Sequence, residues 1–259
     1  MTSDELLQLL EAVTGLSRAE ILAGAPIDDA ARERADALMA RRAAGEPLQY
    51  VTGVAGFRRL ELAVGPGVLV PRPETELVAG RALELLPEGG TLVDVGTGSG
   101  AIALAVADER PDAKVIATEV SPAALGWARR NRDALGLDFE LIACDLLSGL
   151  PARLEGQIDV IVSNPPYVAE TEREVLPTEV VDHEPEFALF AGRDGLAVIT
   201  RVAAVGQRWL RPGAWLVLEI GETQGQRVSS LLDELGYVDV CIDSDLAGRD
   251  RIAEGRTPA

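Results

Sequence analysis

The residues Thr91-Leu92-Val93-Asp94-Val95-Gly96-Thr97-Gly98-Ser99-Gly100 run from a short apolar segment into three glycines at alternate positions, and the apolar stretch 101–107 follows without a break. A strand, a glycine turn and a helix in that order set unpaired N–H groups of the helix start beside the turn, and glycine lets the chain come close to a ligand. A nucleotide-type cofactor is expected there. The spacing is G-x-G-x-G, tighter than the G-x-G-x-x-G of dinucleotide binders. It favours S-adenosylmethionine, with S-adenosylhomocysteine as product, because the amino-acid end of that cofactor needs no pyrophosphate cradle. Gly96, Thr97, Gly98, Ser99 and Gly100 are the expected contacts, and a plain tight turn is the alternative.

Outward from this stretch, apolar β-prone runs at 114–118, 139–143, 158–163 and 214–219 alternate with helical segments, which implies parallel strands with helices on both faces. Two further runs, at 237–242 and 250–254, leave no room for a helix between them and predict an antiparallel hairpin at one edge. The expectation is an α/β fold with the Rossmann-like seven-stranded sheet of Class I methyltransferases. Upstream, residues 3–44 read as helices: a leucine cluster before Gly15, a capping box at Ser17-Arg18-Ala19-Glu20, and an Ala/Arg-rich segment from Asp29 that ends at Gly45. Short β-prone pieces between Leu48 and Val70 predict a connecting β-hairpin. The expected division is a helical docking domain at 1–46, a hairpin connector at 47–75 and a cofactor-binding domain at 76–259.

Strand ends in such a fold carry the chemistry. Glu119, after the second strand, is placed to accept from both ribose hydroxyls, and Ser121 and Pro122 suit the cap and first turn of the next helix. Asp145, after the third, is a candidate acceptor for the adenine amino group, with Leu146 packing on the ring; a helix-capping aspartate is the competing reading. After the fourth strand comes Asn164-Pro165-Pro166-Tyr167. Its prolines have no N–H, so the turn offers carbonyl acceptors and few donors. That suits a substrate NH₂ group: the Asn164 side-chain carbonyl and the Pro165 backbone carbonyl take one hydrogen each, while Tyr167 stacks on the planar group. Asn164, Pro165 and Tyr167 are the expected catalytic residues, and Asn164 to Tyr167 the substrate pocket. No strong general base is required, because the proton becomes acidic once the nitrogen is methylated.

The 259 residues carry a formal charge of −18, which disfavours a phosphate backbone as substrate. No apolar run is long enough for a membrane span and the start is acidic, so a cytoplasmic, monomeric enzyme is expected. Cys144 and Cys241 are too few for a metal cluster and read as reduced thiols, so no metal is expected.

With these segments together, the chain resembles the peptide chain release factor glutamine methyltransferases, the PrmC/HemK family, over nearly its whole length. The resemblance also rests on 45–50, on Val70-Pro71-Arg72-Pro73-Glu74-Thr75-Glu76, on Glu184-Pro185 with Ala188-Leu189, on 192–196, and on Leu218-Glu219-Ile220-Gly221. It implies N5-methylation of the glutamine in the Gly-Gly-Gln motif of class 1 release factors. It also implies that Gly96 to Gly100, Glu119, Leu146 and Asn164 touch the cofactor. Glu119 stands where many members carry Asp, and Leu146 where some carry Trp. Arg72, Glu74 and Thr75 either border the site or serve a Pro-rich turn, and His183, the one histidine, reads as a loop residue rather than a base. Two other readings stay open at this level. One is an amino-methyltransferase acting on nucleic acid, whose flipped base would use the same NPPY turn; the other is a non-enzymatic cofactor-binding module.

Overall fold

A computed structural model describes residues 2–259. Three helices open the chain: α1 (Ser3–Thr14), α2 (Arg18–Leu22) and α3 (Asp29–Ala43). Their starts are written locally. Thr2 with Glu5 and Ser17 with Glu20 form reciprocal capping boxes, and the Asp28 carboxylate accepts from the Ala31 N–H.

The next segment departs from the sequence reading. Residues Leu48–Thr52 form a helical turn, α4, rather than a β-strand. Pro47 precedes it and Gly53 closes it at φ +82°, and burial of Tyr50 and Val51 outweighs the β-propensity of the pair. The β-hairpin follows as β1 (Val54–Phe57) and β2 (Leu60–Ala63). Arg58 and Arg59 at its tip pair with Glu109 and Asp108, which ties it to the main domain.

The remainder runs α5 (Thr75–Leu85), β3 (Thr91–Val95), α6 (Ala101–Glu109), β4 (Lys114–Glu119), α7 (Pro122–Leu135), β5 (Glu140–Ala143) and β6 (Ile158–Ser163). Then come the short helices α8 (Thr178–His183) and α9 (Glu186–Leu189), followed by α10 (Ala197–Trp209), β7 (Leu210–Glu219), α11 (Gly225–Glu234), β8 (Val238–Ser244) and β9 (Asp250–Arg256). The sheet order is β5-β4-β3-β6-β7-β9-β8, parallel through β7, with β9 antiparallel between β7 and β8. The seven strands and the antiparallel edge hairpin match the sequence expectation.

Alternate residues of the central strands feed two cores. Val93, Ile161 and Leu216 pack under α10 and α11 against Ile199, Val202 and Leu232. Leu92, Val160 and Val217 pack under α5 and α6 against Val78, Ala82 and Leu104. Each such side chain contributes about 1.5–3 kcal/mol by leaving water, enough to fix which ends of β3 and β6 lie side by side. Chain order turns outward from β3 in both directions, so the crevice beyond the carboxyl ends of β3 and β6 is where a doubly wound sheet binds its ligand.

Candidate active site

The glycine turn after β3 has left-handed backbone at Gly96 (φ +72°), Gly98 (φ +58°) and Gly100 (φ +89°), a conformation that a side chain would strain. The turn is anchored from three sides. Gly96 and Thr97 donate to the Thr118 carbonyl of β4. Gly98 donates to Glu119 Oε2 at 3.0 Å, and the buried Asn131 of α7 donates to the Ser99 carbonyl at 2.9 Å. Asn131 also exchanges hydrogen bonds with Ala63 of β2 in both directions. One amide thus stitches the hairpin to the glycine turn, a link that no local pattern in the chain signals.

This turn lines a cavity of about 210 Å³. Also on its wall are Asp94, Glu119, Asp145, Leu146, Asn164, Pro165 and Pro166, so the expected cofactor residues Gly96, Thr97, Gly98, Ser99, Glu119, Asp145, Leu146 and Asn164 share one space. Gly100 caps α6 just behind it. Glu119 is buried at the end of β4, where Oε1 accepts from the N–H groups of Val120 and Ser121 at 2.9 and 2.8 Å. Ser121 then caps α7 with Pro122 in its first turn, as expected. Asp94 is also buried. Its Oδ2 accepts from Thr97 and from the Ala103 N–H, whereas Oδ1 has no hydrogen-bond partner. Loss of hydration, with the Glu119 charge adding to it, pushes the Asp94 carboxyl up to about 7. Among the described residues no Lys or Arg forms an ion pair with either carboxylate, so these two acids on the cavity wall have no paired cation.

Asp145 departs from the helix-capping reading. It caps no helix, and its carboxylate forms a 2.5 Å ion pair with Arg201 of α10 at the rim of the cavity, with both side chains about half exposed. Leu146 has left-handed backbone (φ +51°), a strained conformation for a leucine, on the same wall.

The turn after β6 is held more elaborately. Ser163 donates to the Val95 carbonyl at 2.7 Å, joining the ends of β6 and β3. The Asn164 side-chain Nδ2 donates to Thr75 Oγ1 at 3.0 Å, and Thr75 donates in turn to Glu219 Oε2 at 2.6 Å. Tyr167 donates to Glu219 Oε1 at 3.1 Å, while its own carbonyl accepts from Gln224 Nε2 at 2.9 Å. Glu219, at the end of β7, has no exposed surface, and burial pushes it up to about 7 despite the hydroxyls it accepts from. Burial beside Glu219 also pushes the Tyr167 phenol upward, so it stays a donor. Gly195 (φ +75°) packs directly on the Tyr167 carbonyl, where an added Cβ would sit at 2.2 Å.

A second cavity, of about 190 Å³, opens on the other side of this turn. Leu69, Arg72, Tyr167, Val168 and Val180 line it, and Asn164, Pro165, Leu69 and Ala188 belong to both cavities. Tyr167 therefore stands with Arg72 on the second space and off the wall of the first. Of the connector residues left open by the sequence, Thr75 joins the turn's hydrogen bonds. Arg72 pairs with the buried Glu184 at 2.7 Å, and Glu74 lies at the start of α5. His183 ends helix α8 instead of lying in a loop, because the Pro177 carbonyl accepts the N–H groups of Val180 and Val181 and starts a helical turn.

The PrmC N-terminal domain family matches residues 4–53 and the family described as methyltransferase small domain matches residues 77–189. A release factor glutamine methyltransferase of Streptomyces coelicolor is 47% identical over 224 residues, covering 85% of this chain and 79% of that one. The chain belongs to the release factor glutamine methyltransferase family. The member from Burkholderia pseudomallei is 42% identical over 260 residues, with 96% and 90% of the two chains covered. Among solved structures, a methyltransferase from Pyrococcus furiosus superposes with a TM-score of 0.60 at 20% identity, over 88% of this chain and 99% of the other, a likeness of fold alone.

Gln224 has no part in the sequence reading of the site, while Thr75 enters it as a residue that either borders the site or serves a turn and Glu219 as part of a matched segment, neither with a hydrogen-bonding role. A glutamate ending an apolar strand, Leu216-Val217-Leu218-Glu219, is the local signal for Glu219.

Proposed function

We propose that this protein transfers the methyl group of S-adenosylmethionine to the side-chain amide nitrogen (N5) of the glutamine in the Gly-Gly-Gln motif of class 1 peptide chain release factors. The observation that carries this reading is the meeting of two cavities at Asn164 and Pro165, one lined by the glycine turn and the other by Tyr167 and Arg72. Family membership supports the same substrate.

The residues fit the cofactor. Asp94, with an oxygen that lacks a partner, and Glu119 give the first cavity two carboxylates and no paired cation, which suits a ligand bearing a sulfonium and an ammonium charge. Gly96 to Gly100 would hold its amino-acid end, Glu119 its ribose, and Leu146 with Asp145 its base. When bound it supplies an electrophilic methyl group on sulfur.

The chain's own residues address the difficulty on the other side. An amide nitrogen is a poor nucleophile because its lone pair is delocalised into the carbonyl. Asn164 spends its Nδ2 on Thr75, so its carbonyl oxygen is the end left for a substrate N–H, and the Pro165 carbonyl takes the second hydrogen. Acceptors placed in advance strengthen as positive charge develops on the nitrogen, without reorganisation at that moment. Tyr167 orients the flat carboxamide from the second cavity.

Incubation with purified release factor and labelled cofactor, followed by mass-spectrometric mapping, should place one methyl on the Gly-Gly-Gln glutamine and none on a Gln→Ala substrate. Equal labelling of that substrate, or transfer to nucleic acid in its place, overturns the reading.

A further inference from the structure

Two hydrogen-bond chains converge on one buried side chain that no expectation from the sequence assigned. From the Asn164 amide the donors point in a single direction: Nδ2–H to Thr75 Oγ1, then Thr75 O–H to Glu219 Oε2. From the opposite end of the turn, the Tyr167 O–H points to Glu219 Oε1. A carboxylate accepts on both oxygens, and Thr75 has one proton to give. As long as Glu219 is ionised, Thr75 donates to it and can only accept from Asn164. That leaves a single orientation for the Asn164 amide, nitrogen toward Thr75 and oxygen away from it.

We infer that Glu219 is a positioning residue for methyl transfer: acting through Thr75 it holds Asn164 with its carbonyl toward the substrate amide, and acting through Tyr167 it fixes the other end of the same turn. The inference rests on the reading that Asn164 receives the substrate NH₂. The sheet explains why a residue 55 positions away can do this. β6 and β7 are parallel neighbours with Ser163 opposite Leu218, so the next residue of each strand, Asn164 and Glu219, emerges at the same level of the carboxyl edge. Protonated Glu219 would have to donate from one oxygen. Either Thr75 would then turn its proton to Asn164 and flip the amide, presenting NH₂ to NH₂, or Tyr167 would lose its acceptor.

The charged and titratable groups that face Glu219 are Arg251 on β9, Tyr167 beyond β6 and Glu74 at the start of α5; the Tyr167 hydrogen bond and the Arg251 charge favour the ionised form, and the Glu74 charge opposes it. The Glu219 carboxyl, pushed up to about 7 by burial, makes the arrangement sensitive to pH near neutrality.

The test is single-turnover methylation of release factor at saturating cofactor and substrate, with cofactor Kd and melting temperature measured beside it. Thr75→Val keeps the shape and removes the relay, and is expected to slow the step about 10- to 100-fold, in the range of a mispositioned polar group, with cofactor Kd within about twofold of wild type. Thr75→Ser restores the hydroxyl and most of the rate. In the unsubstituted protein the rate falls as pH drops through about 7, whereas in Glu219→Gln, which cannot ionise, it is low and flat with pH. Thr75→Val and Glu219→Gln as fast as wild type, beside an inactive Asn164→Ala, overturn this inference and leave the site reading intact. A fully active Asn164→Ala overturns both.

Discussion

The two cavities of this site are built by different means. The first is built around one run of neighbours in sequence, the glycine turn. Asp94, Gly96, Gly98 and Ser99 lie within six residues, and the turn's contacts run through backbone N–H groups to the ends of adjacent strands. The wall of the second carries Arg72, Asn164, Pro165 and Tyr167, and the turn among them is held from behind by side chains brought from 75, 219 and 224 through hydrogen bonds across as many as 144 positions. Holding a charged cofactor at close range needs a backbone free of side chains, which glycine supplies, and negative charge without a paired cation. Choosing one face of an amide needs a rigid acceptor, and rigidity at a strand end comes from partners on other strands. The contrast leads to a division of effects: damage on the first side should appear in cofactor affinity, and damage on the second in the rate at saturation.

The largest effect should come from Asn164→Ala. It removes the acceptor at the junction, and a loss of about 10²–10³ in kcat is expected, the scale seen for one preorganised polar group at a reacting centre. Cofactor Kd should rise far less, because Asn164 is one of many residues on that wall. Calorimetric titration with S-adenosylmethionine checks this, and an affinity loss as large as the rate loss would break the division.

Next in size is Glu119→Gln. The carboxylate accepts from Gly98, Val120 and Ser121. An NH₂ group in place of one oxygen would face at least one N–H donor to donor, and a buried amide left unsatisfied costs about 1–3 kcal/mol. Cofactor Kd should rise roughly 10- to 100-fold, since 1.4 kcal/mol is a factor of ten, and the melting temperature should fall with it. Turnover at saturating cofactor should change much less.

The same contrast explains how much was legible beforehand. Strand order at the edge, the glycine turn, the Ser121 cap and the NPPY corner all follow from short-range pattern, so the seven-stranded sheet and the first cavity's residues could be read from the chain. The partner of Asn164 could not. Thr75 lies 89 residues away in a Pro-rich connector and Glu219 ends an ordinary apolar strand, and nothing local marks either as a hydrogen-bond partner of the turn. Asp145 has a partner hidden for a similar reason. Its nearest charge, Arg201, comes from a helix 56 residues later. Leu48–Thr52 was misread because a single turn of helix has too few residues to show a period, and the burial of Tyr50 and Val51 decides its conformation.

Asp94→Asn should show the two sides trading against each other. The Asp94 carboxyl sits at about 7 in the folded protein against 3.8 ordinarily. Because the folded pKa is the higher one, its contribution to stability is complete below pH 4 and is lost as pH rises through about 7. Asparagine can still accept from Thr97 and Ala103 with one oxygen and carries no charge. The ligand-free variant should therefore melt higher than the parent at pH 8, by roughly 2–4 °C for each kcal/mol recovered in a chain of this size. Cofactor affinity moves the other way, about tenfold weaker at pH 8 if one charge–charge contact is lost. In the parent protein, affinity should weaken as pH falls below about 7, since binding a cation requires the ionised carboxyl. Unchanged affinity together with raised stability would show that Asp94 serves only the turn.

The smallest effect is expected at Asp145, and it sharpens the comparison because the residue lies in the first cavity yet is held by a side chain, in the manner of the second. An ion pair between half-exposed groups is worth about 1 kcal/mol or less, so Arg201→Ala should leave the melting temperature nearly unchanged. What it does to the cofactor separates two roles for Asp145. If the carboxylate takes the adenine amino group, freeing it from Arg201 should leave affinity equal or slightly better, and Asp145→Asn should weaken binding less than about fivefold, the value of one exposed hydrogen bond. If Arg201 instead holds the rim of the cavity in place through Asp145, both variants should weaken binding alike, and the double variant should be no worse than either. A double-mutant cycle on cofactor Kd reads the difference directly, since groups acting as one unit do not add.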